Sequence, residues 1–180
     1  MKLLLHVCCA PCSIVPIDRL RGAGHELTGF WFNPNVHPWT EHEKRRETVE
    51  AYAGRVNLPV IWRPGYEMNE YLRQVVFHED DRCRFCFRMR MFAAAEAARQ
   101  GGLDAFTTTL LYSKYQKHDL LAEVAEAVSR EIGVPFHYED FRPWWSEGVQ
   151  RSREMGMYRQ KYCGCVYSEW ERYNTARSVS

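Results

Sequence analysis

The stretch Leu3-Leu4-Leu5-His6-Val7-Cys8-Cys9-Ala10-Pro11-Cys12-Ser13 constrains the fold of this 180-residue chain more than any other. A short apolar run bounded by a turn signal suits an interior strand. Pro11 falls where the first turn of a following helix would lie, and there its missing N–H costs nothing. Ser13 is placed to cap that turn. A buried strand is therefore expected near residues 2–7 and a helix near 11–22, stopping at Arg21-Gly22-Ala23-Gly24 and bent by Pro16. The three thiols would then sit at a strand's C-terminal end, facing a helix N-terminus. In an open α/β sheet this is the crevice that takes ligands. Free helix N–H groups and the helix dipole favour thiolate over thiol there.

Downstream, strand-like and helix-like segments alternate. Strands are expected near 25–32, 58–62, 105–110 and 135–138. Between them come a two-proline loop at Asn33–Pro38 and a helix capped by Thr40 that runs to about Arg55, with Glu41 and Glu43 at its positive end. A turn at Arg63-Pro64-Gly65 and a helix near 67–75 follow, then a loop carrying Glu79-Asp80-Asp81. An alanine-rich helix spans about Arg84 to Gln100 and stops at Gly101-Gly102. A polar loop at 112–117 leads to a helix near 118–131 that ends at Gly133. Strands separated by helices imply parallel pairing through right-handed crossovers. The expected fold class is α/β, a single Rossmann-like domain over residues 1–180 with a mostly parallel sheet of about five strands and flanking helices. The cysteine clusters at 8–12, 83–86 and 163–165 would converge on one site. Neither GxGxxG nor GxxxxGK[ST] occurs, so the usual nucleotide-phosphate loops are excluded.

A net charge of +1 removes any global electrostatic case for nucleic acid, so such a case must be local. No segment reaches the roughly 18 apolar residues of a membrane span, and the first apolar run is too short for a signal-peptide core. The expected compartment is the cytoplasm, with no membrane partner. Seven cysteines are an odd number, and they fall in three tight clusters: Cys8, Cys9 and Cys12, then Cys83 and Cys86, then Cys163 and Cys165. In a reducing compartment this argues for metal or redox chemistry over a disulfide framework. Cys83-Arg84-Phe85-Cys86 is a CxxC at a helix start, with Arg82, Arg84, Arg88 and Arg90 around it. In Cys163-Gly164-Cys165 the glycine allows a turn tight enough for both sulfurs to face one centre.

Three site types compete. Structural zinc would use Cys9, Cys12, Cys83 and Cys86 and leave three thiols without a role. A thioredoxin-like dithiol would use Cys9-Ala10-Pro11-Cys12 and leave five. An iron–sulfur cluster would take four thiolates and leave three for a second redox or metal function. The spacing matches neither the CxxCxxC run nor the plant ferredoxin pattern.

The segments LLHVCCAPCS, FNPNVHP, CRFC, TTTLLYSKYQKHD and YRQKYCGCVYS, in this order over residues 3–168, resemble the QueH family of epoxyqueuosine reductases. The resemblance implies a cytoplasmic, bacterial-type enzyme acting on tRNA that reduces epoxyqueuosine to queuosine, the last step of queuosine formation. It also implies a [4Fe–4S] cluster with a second iron, or another metal, beside it. Carried over by motif, Cys8, Cys9, Cys83 and Cys86 would bind the cluster. Cys163 and Cys165 would form a redox-active pair that closes to a disulfide or, with Cys12, hold the adjacent metal. Removing an epoxide oxygen as water takes two electrons, which an unidentified donor must supply. The second centre would act as a Lewis acid or as a dithiol electron store.

On the substrate side, Lys114, Tyr115, Lys117, His118 and Asp119 follow strand four and should lie on the same crevice edge. His118 or Asp119 would exchange the proton of the leaving oxygen. His37 lies equally well placed after strand two, either for chemistry or for a bond that fixes its loop; His6 reads as a satisfied core histidine. For RNA, the segment from Arg142 to Tyr162 interleaves Arg142, Arg151, Arg153, Arg159 and Lys161 with Trp144, Trp145, Tyr158 and Tyr162. The cations would contact phosphates and the aromatics would stack bases. The tryptophans read rather as core, which leaves Arg159, Lys161 and Tyr162, beside the CxC, as the stronger contacts. The run from Glu41 to Glu47 reads as a solvated helix face. The alternatives to a reductase are a zinc-stabilised RNA-binding module without redox activity and a thioredoxin-like dithiol oxidoreductase.

Overall fold

The computed structural model describes residues 1–174. Four parallel strands form one sheet: β1 (Lys2–His6), β2 (Glu26–Trp31), β3 (Val60–Trp62) and β4 (Ala105–Thr108), in the order β3-β2-β1-β4. Among the described residues seven α-helices accompany it: α1 (Ala10–Gly22), α2 (Trp39–Arg55), α3 (Met68–Val75), α4 (Arg82–Gln100), α5 (His118–Ile132), α6 (Trp145–Glu154) and α7 (Val166–Asn174). Leu3, Leu4 and Leu5 are all fully buried, so β1 is covered on both faces, as an interior parallel strand must be. Ala94, Ala95 and Ala98 are buried on α4 and leave room for that helix to lie close on β1 and β4, beside α5. Helix α1 packs against β2, α2 and α6.

The strand order places the site. From β1 the chain adds β2 and then β3 on one side, then crosses back to put β4 on the other side of β1. The switch point lies between β1 and β4, and a crevice opens off their C-terminal ends. Residues 7–12 and 109–117 leave the sheet there.

Several details differ from the sequence-based expectation. The fifth strand is reduced to one parallel bridge between Phe106 and Phe136, with Phe106 N–H donating to Pro135 O (3.0 Å) and His137 N–H to Phe106 O (2.8 Å). Pro135 has no donor to give. β4 also stops at Thr108, whose hydroxyl accepts from Leu110 N–H (3.1 Å) and turns the chain into a 3₁₀ segment, Thr109–Tyr112. Helix α1 is capped by Cys9, whose sulfur accepts from Cys12 N–H (3.4 Å), while Ser13 Oγ donates to Ala10 O (2.7 Å) and caps nothing. Thr40 lies inside α2, which begins one residue earlier behind Pro38. Among the described residues no helix is long and apolar enough to cross a membrane.

Candidate metal centre

The turn from β1 into α1 gathers three buried thiols. Cys8, Cys9 and Cys12 have sulfurs that all lie within 4.8 Å of one another, and the Cys8 and Cys9 sulfurs are 3.9 Å apart. Two thiolates on one tetrahedral ion at about 2.3 Å would stand about 3.8 Å apart, so this spacing already fits a metal. Cys8 N–H donates to Thr109 Oγ1 (3.0 Å), and Thr109 Oγ1 donates to the Cys8 sulfur (3.2 Å), which ties the turn to the end of β4. Hydrogen bonds from Cys12 and Cys9, helped by Thr109, hold the Cys8 thiol well below the ordinary thiol range against the effect of burial. Burial pushes Cys9 up, and the bonds Cys12 makes to Cys8 and Cys9 push Cys12 up as well.

The other four cysteines form a second group. Cys83 is the second residue of α4 and Cys86 lies one turn on. The buried Arg90 guanidinium donates to the Cys86 sulfur (3.1 Å). Burial raises Cys83 and pushes Cys86 up to about 11. Cys165 packs against Cys86, Tyr71 and Val75, which puts the CxC beside the CxxC. The Cys163 and Cys165 sulfurs are 3.9 Å apart, well beyond the roughly 2.05 Å of a disulfide, so both thiols are free. The hydrogen bond from Cys163, aided by Ser168, lowers Cys165 to about 5 despite burial, and Cys163 is raised in turn by that same bond. Cys12 thus lies with Cys8 and Cys9 at the turn into α1.

Two side chains that sequence reasoning did not single out join the groups. Arg45, 2% exposed, donates from Nη1 to Cys163 O (3.0 Å), from Nη2 to Tyr162 O (3.2 Å) and from Nε to Glu41 Oε1 (2.7 Å). Its charge also acts on Cys9 and Cys8. Gln160 Nε2 donates to the Cys9 sulfur (2.9 Å) and reaches the Cys12 sulfur (3.6 Å). The run from Glu41 to Glu47 is thus not a wholly solvated face, because His42 and Arg45 are buried. The spacing of His42, Arg45, Val49 and Tyr52, all buried, is a helical stripe that was readable in the sequence. For Gln160 there was no such signal. Gly164 has φ +133°, and a Cβ there would lie 2.9 Å from Val36 Cγ2 and 3.2 Å from Arg45 Nη1, so the CxC needs its glycine.

The histidines divide. His6 is buried with Nδ1 against Thr108 Oγ1 (2.9 Å) and Nε2 against Phe32 O (3.1 Å). Burial, with the Arg90 charge, lowers it to about 4, so it is a neutral, satisfied core histidine. His37 is buried beside the Tyr66 and Tyr71 rings, and neither ring nitrogen has a hydrogen-bond partner. The backbone of His37 does the loop-fixing: its N–H donates to Gly164 O (2.8 Å), and its carbonyl accepts from the Tyr162 hydroxyl. His118 opens α5 buried, with Nε2 against the Tyr138 hydroxyl (3.0 Å), and burial lowers its pKa. Asp119 beside it is exposed, as are Lys114, Tyr115 and Lys117, and the Lys117 charge reaches Cys83.

In the aromatic and basic segment, Trp144 lies half-buried under the Arg19 guanidinium (4.1 Å) and Trp145 against the Tyr112 ring (5.0 Å), as core-flanking residues. Arg142 is paired with Asp140, and Arg151 with Asp18 and Glu147. Arg159, Lys161 and Tyr162 instead line a cleft of about 630 Å³ with Lys44 and Tyr158.

A family model described as "Epoxyqueuosine reductase QueH" matches residues 3–171. The chain is 39% identical over 177 residues to the epoxyqueuosine reductase QueH of Dehalococcoides mccartyi, covering 98% of this chain and 97% of that one. It is 36% identical over 188 residues to the protein of the same name from Thermotoga maritima, covering 98% and 95%. Against that from Histophilus somni it is 29% identical over 197 residues, covering 99% and 78%.

Proposed function

The chain belongs to the QueH family of epoxyqueuosine reductases, and from that premise we propose that it reduces epoxyqueuosine in tRNA to queuosine, in the cytoplasm, at a thiolate-held metal centre. The observation that carries the proposal is the buried Cys8, Cys9 and Cys12 group at the sheet's switch point. Three convergent soft ligands suit iron–sulfur or zinc chemistry. Cys8 and Cys9, with Cys83 and Cys86 from α4, would hold a [4Fe–4S] cluster; Cys163 and Cys165 would serve as a redox pair or, with Cys12, hold a second iron. Such a cluster supplies electrons one at a time, and a neighbouring metal ion supplies a Lewis acid.

The overall reaction takes two electrons from an external donor and two protons. Both epoxide C–O bonds break, an alkene forms, and the oxygen leaves as water. The chain's own groups prepare the site for this. Arg90 at Cys86 and Arg45 at the CxC place two buried positive charges among the thiolates, which offsets their mutual repulsion. Thr109 fixes the Cys8 sulfur against the end of β4. Proton delivery falls to His118 or Asp119 in the first turn of α5. Arg159 and Lys161 would hold RNA phosphates and Tyr162 would stack a base, with Lys114 and Tyr115 contacting the RNA from the loop after β4.

The test is iron, zinc and acid-labile sulfide per chain on anaerobically purified protein, together with turnover of epoxyqueuosine-tRNA. About four sulfides with four to five irons, and conversion to queuosine, are expected. The 3.9 Å sulfur spacing also fits one zinc ion in an RNA-binding module without redox activity. Zinc near one per chain, with no sulfide and no turnover, would establish that second reading instead.

A further inference from the structure

Residues 155–162 leave α6 and run without regular structure to the CxC. Arg159 and Lys161 in this segment line the cleft, whereas Gln160 between them turns the other way, onto the sulfurs of Cys9 and Cys12 at 2.9 and 3.6 Å. Its amide N–H group faces sulfurs that ligate as thiolates, which only accept hydrogen bonds. Its Oε1 is buried and has no partner. The amide nitrogen of this side chain is thus committed to the two sulfurs, and its oxygen is buried without a partner.

We infer that Gln160 is a positioning residue of the metal centre: it holds Cys9 and Cys12 in ligating geometry from the irregular segment that leads to the CxC. The inference rests on the metal-dependent reading of the site. Hydrogen bonds to ligand sulfurs stabilise their charge and set the potential of a bound cluster. Losing a partner that orients metal ligands weakens metal affinity by about 10–100-fold. Among the described residues the other nitrogen donor to these sulfurs is the Cys12 backbone N–H on Cys9, so no second side chain shares the role of Gln160.

The probe is Co²⁺ titrated anaerobically into the metal-free, reduced full-length chain and read by thiolate-to-cobalt absorption. Gln160→Leu removes the donor at similar volume. Gln160→Glu keeps the shape but puts an acceptor where the donor was. Both are expected to bind Co²⁺ about 10–100-fold more weakly than the parent, with unchanged thermal midpoints in the metal-free state. A packing role would leave the isosteric Gln160→Glu at parental affinity. Parental affinity in Gln160→Glu, with or without weakening in Gln160→Leu, overturns the inference. Either variant alone decides it if the other fails to fold. A parent protein that does not bind Co²⁺ at all would sink the metal centre itself, which separates that failure from failure of the Gln160 assignment.

Discussion

The Cys8–Cys12 turn and the Cys163–Cys165 turn make similar sulfur geometry by different means. Each holds a sulfur pair at 3.9 Å, and each keeps one sulfur below the ordinary thiol range through hydrogen bonds from a neighbouring thiol. The first turn is a junction of regular elements. It follows a fully buried strand, caps a helix with Cys9 and lies within the main apolar core. The second belongs to no element until α7 begins. Its path is set by Arg45 on two carbonyls, by His37 N–H on Gly164 O, and by a glycine that fits against Val36. A sheet–helix junction cannot lose its geometry without unfolding the core. A loop held by a few polar side chains can, so substitutions should act on the two turns very differently.

The largest effect belongs to the first turn. Cys9→Ser removes the proposed ligand sulfur while leaving a hydroxyl that can still cap α1. Metal per chain after anaerobic purification should fall nearly to zero, whereas Cys163→Ser should keep the acid-labile sulfide and lose turnover. Equal metal loss in both would merge the two turns into one indivisible site. Next is Arg45→Leu, which unclamps the CxC loop and takes the cation from the nearly buried Glu41 carboxylate. About 3–5 kcal/mol of stability should be lost by denaturant midpoint. Alkylation should accelerate at Cys165 but not at Cys9, and equal acceleration at both would break the distinction. Gly164→Ala, with its Cβ 2.9 Å from Val36 Cγ2 and φ at +133°, should destabilise by about 1–3 kcal/mol, again only around the CxC. The smallest effect is on the RNA side. Lys161→Ala should lower the slope of log affinity for tRNA against log salt by about 0.7–0.9, the share of one phosphate contact, and leave metal content unchanged.

Much of the first turn was legible in local sequence. A short apolar run, cysteines, and a proline in the next helical turn define a strand–turn–helix through interactions between near neighbours. Even there, the choice of Cys9 over Ser13 as the cap depended on where Pro11 put the first helical turn. The second turn was legible only in its glycine. Arg45 sits 118 residues from Cys163, and Gln160 sits 151 from Cys9, so no local pattern joins them. Arg45 could have been flagged from the stripe His42-Arg45-Val49-Tyr52, but the flanking charges masked it. The missing fifth strand has the same origin: Pro135 is a local signal, but the early end of β4 at Thr108 depends on a hydroxyl that caps its own turn.

The bonds from Cys8 to Thr109 span 101 residues. The three-thiol group therefore takes its final form only when β4 has docked on β1. Long-range parallel pairing is slow because loop-closure entropy is lost before the contacts repay it. The three thiols reach a fixed arrangement only once residue 109 is home. Metal taken up at that stage would bind the closed sheet in preference to the open chain, and so would add its binding free energy to the most distant strand pairing in the fold.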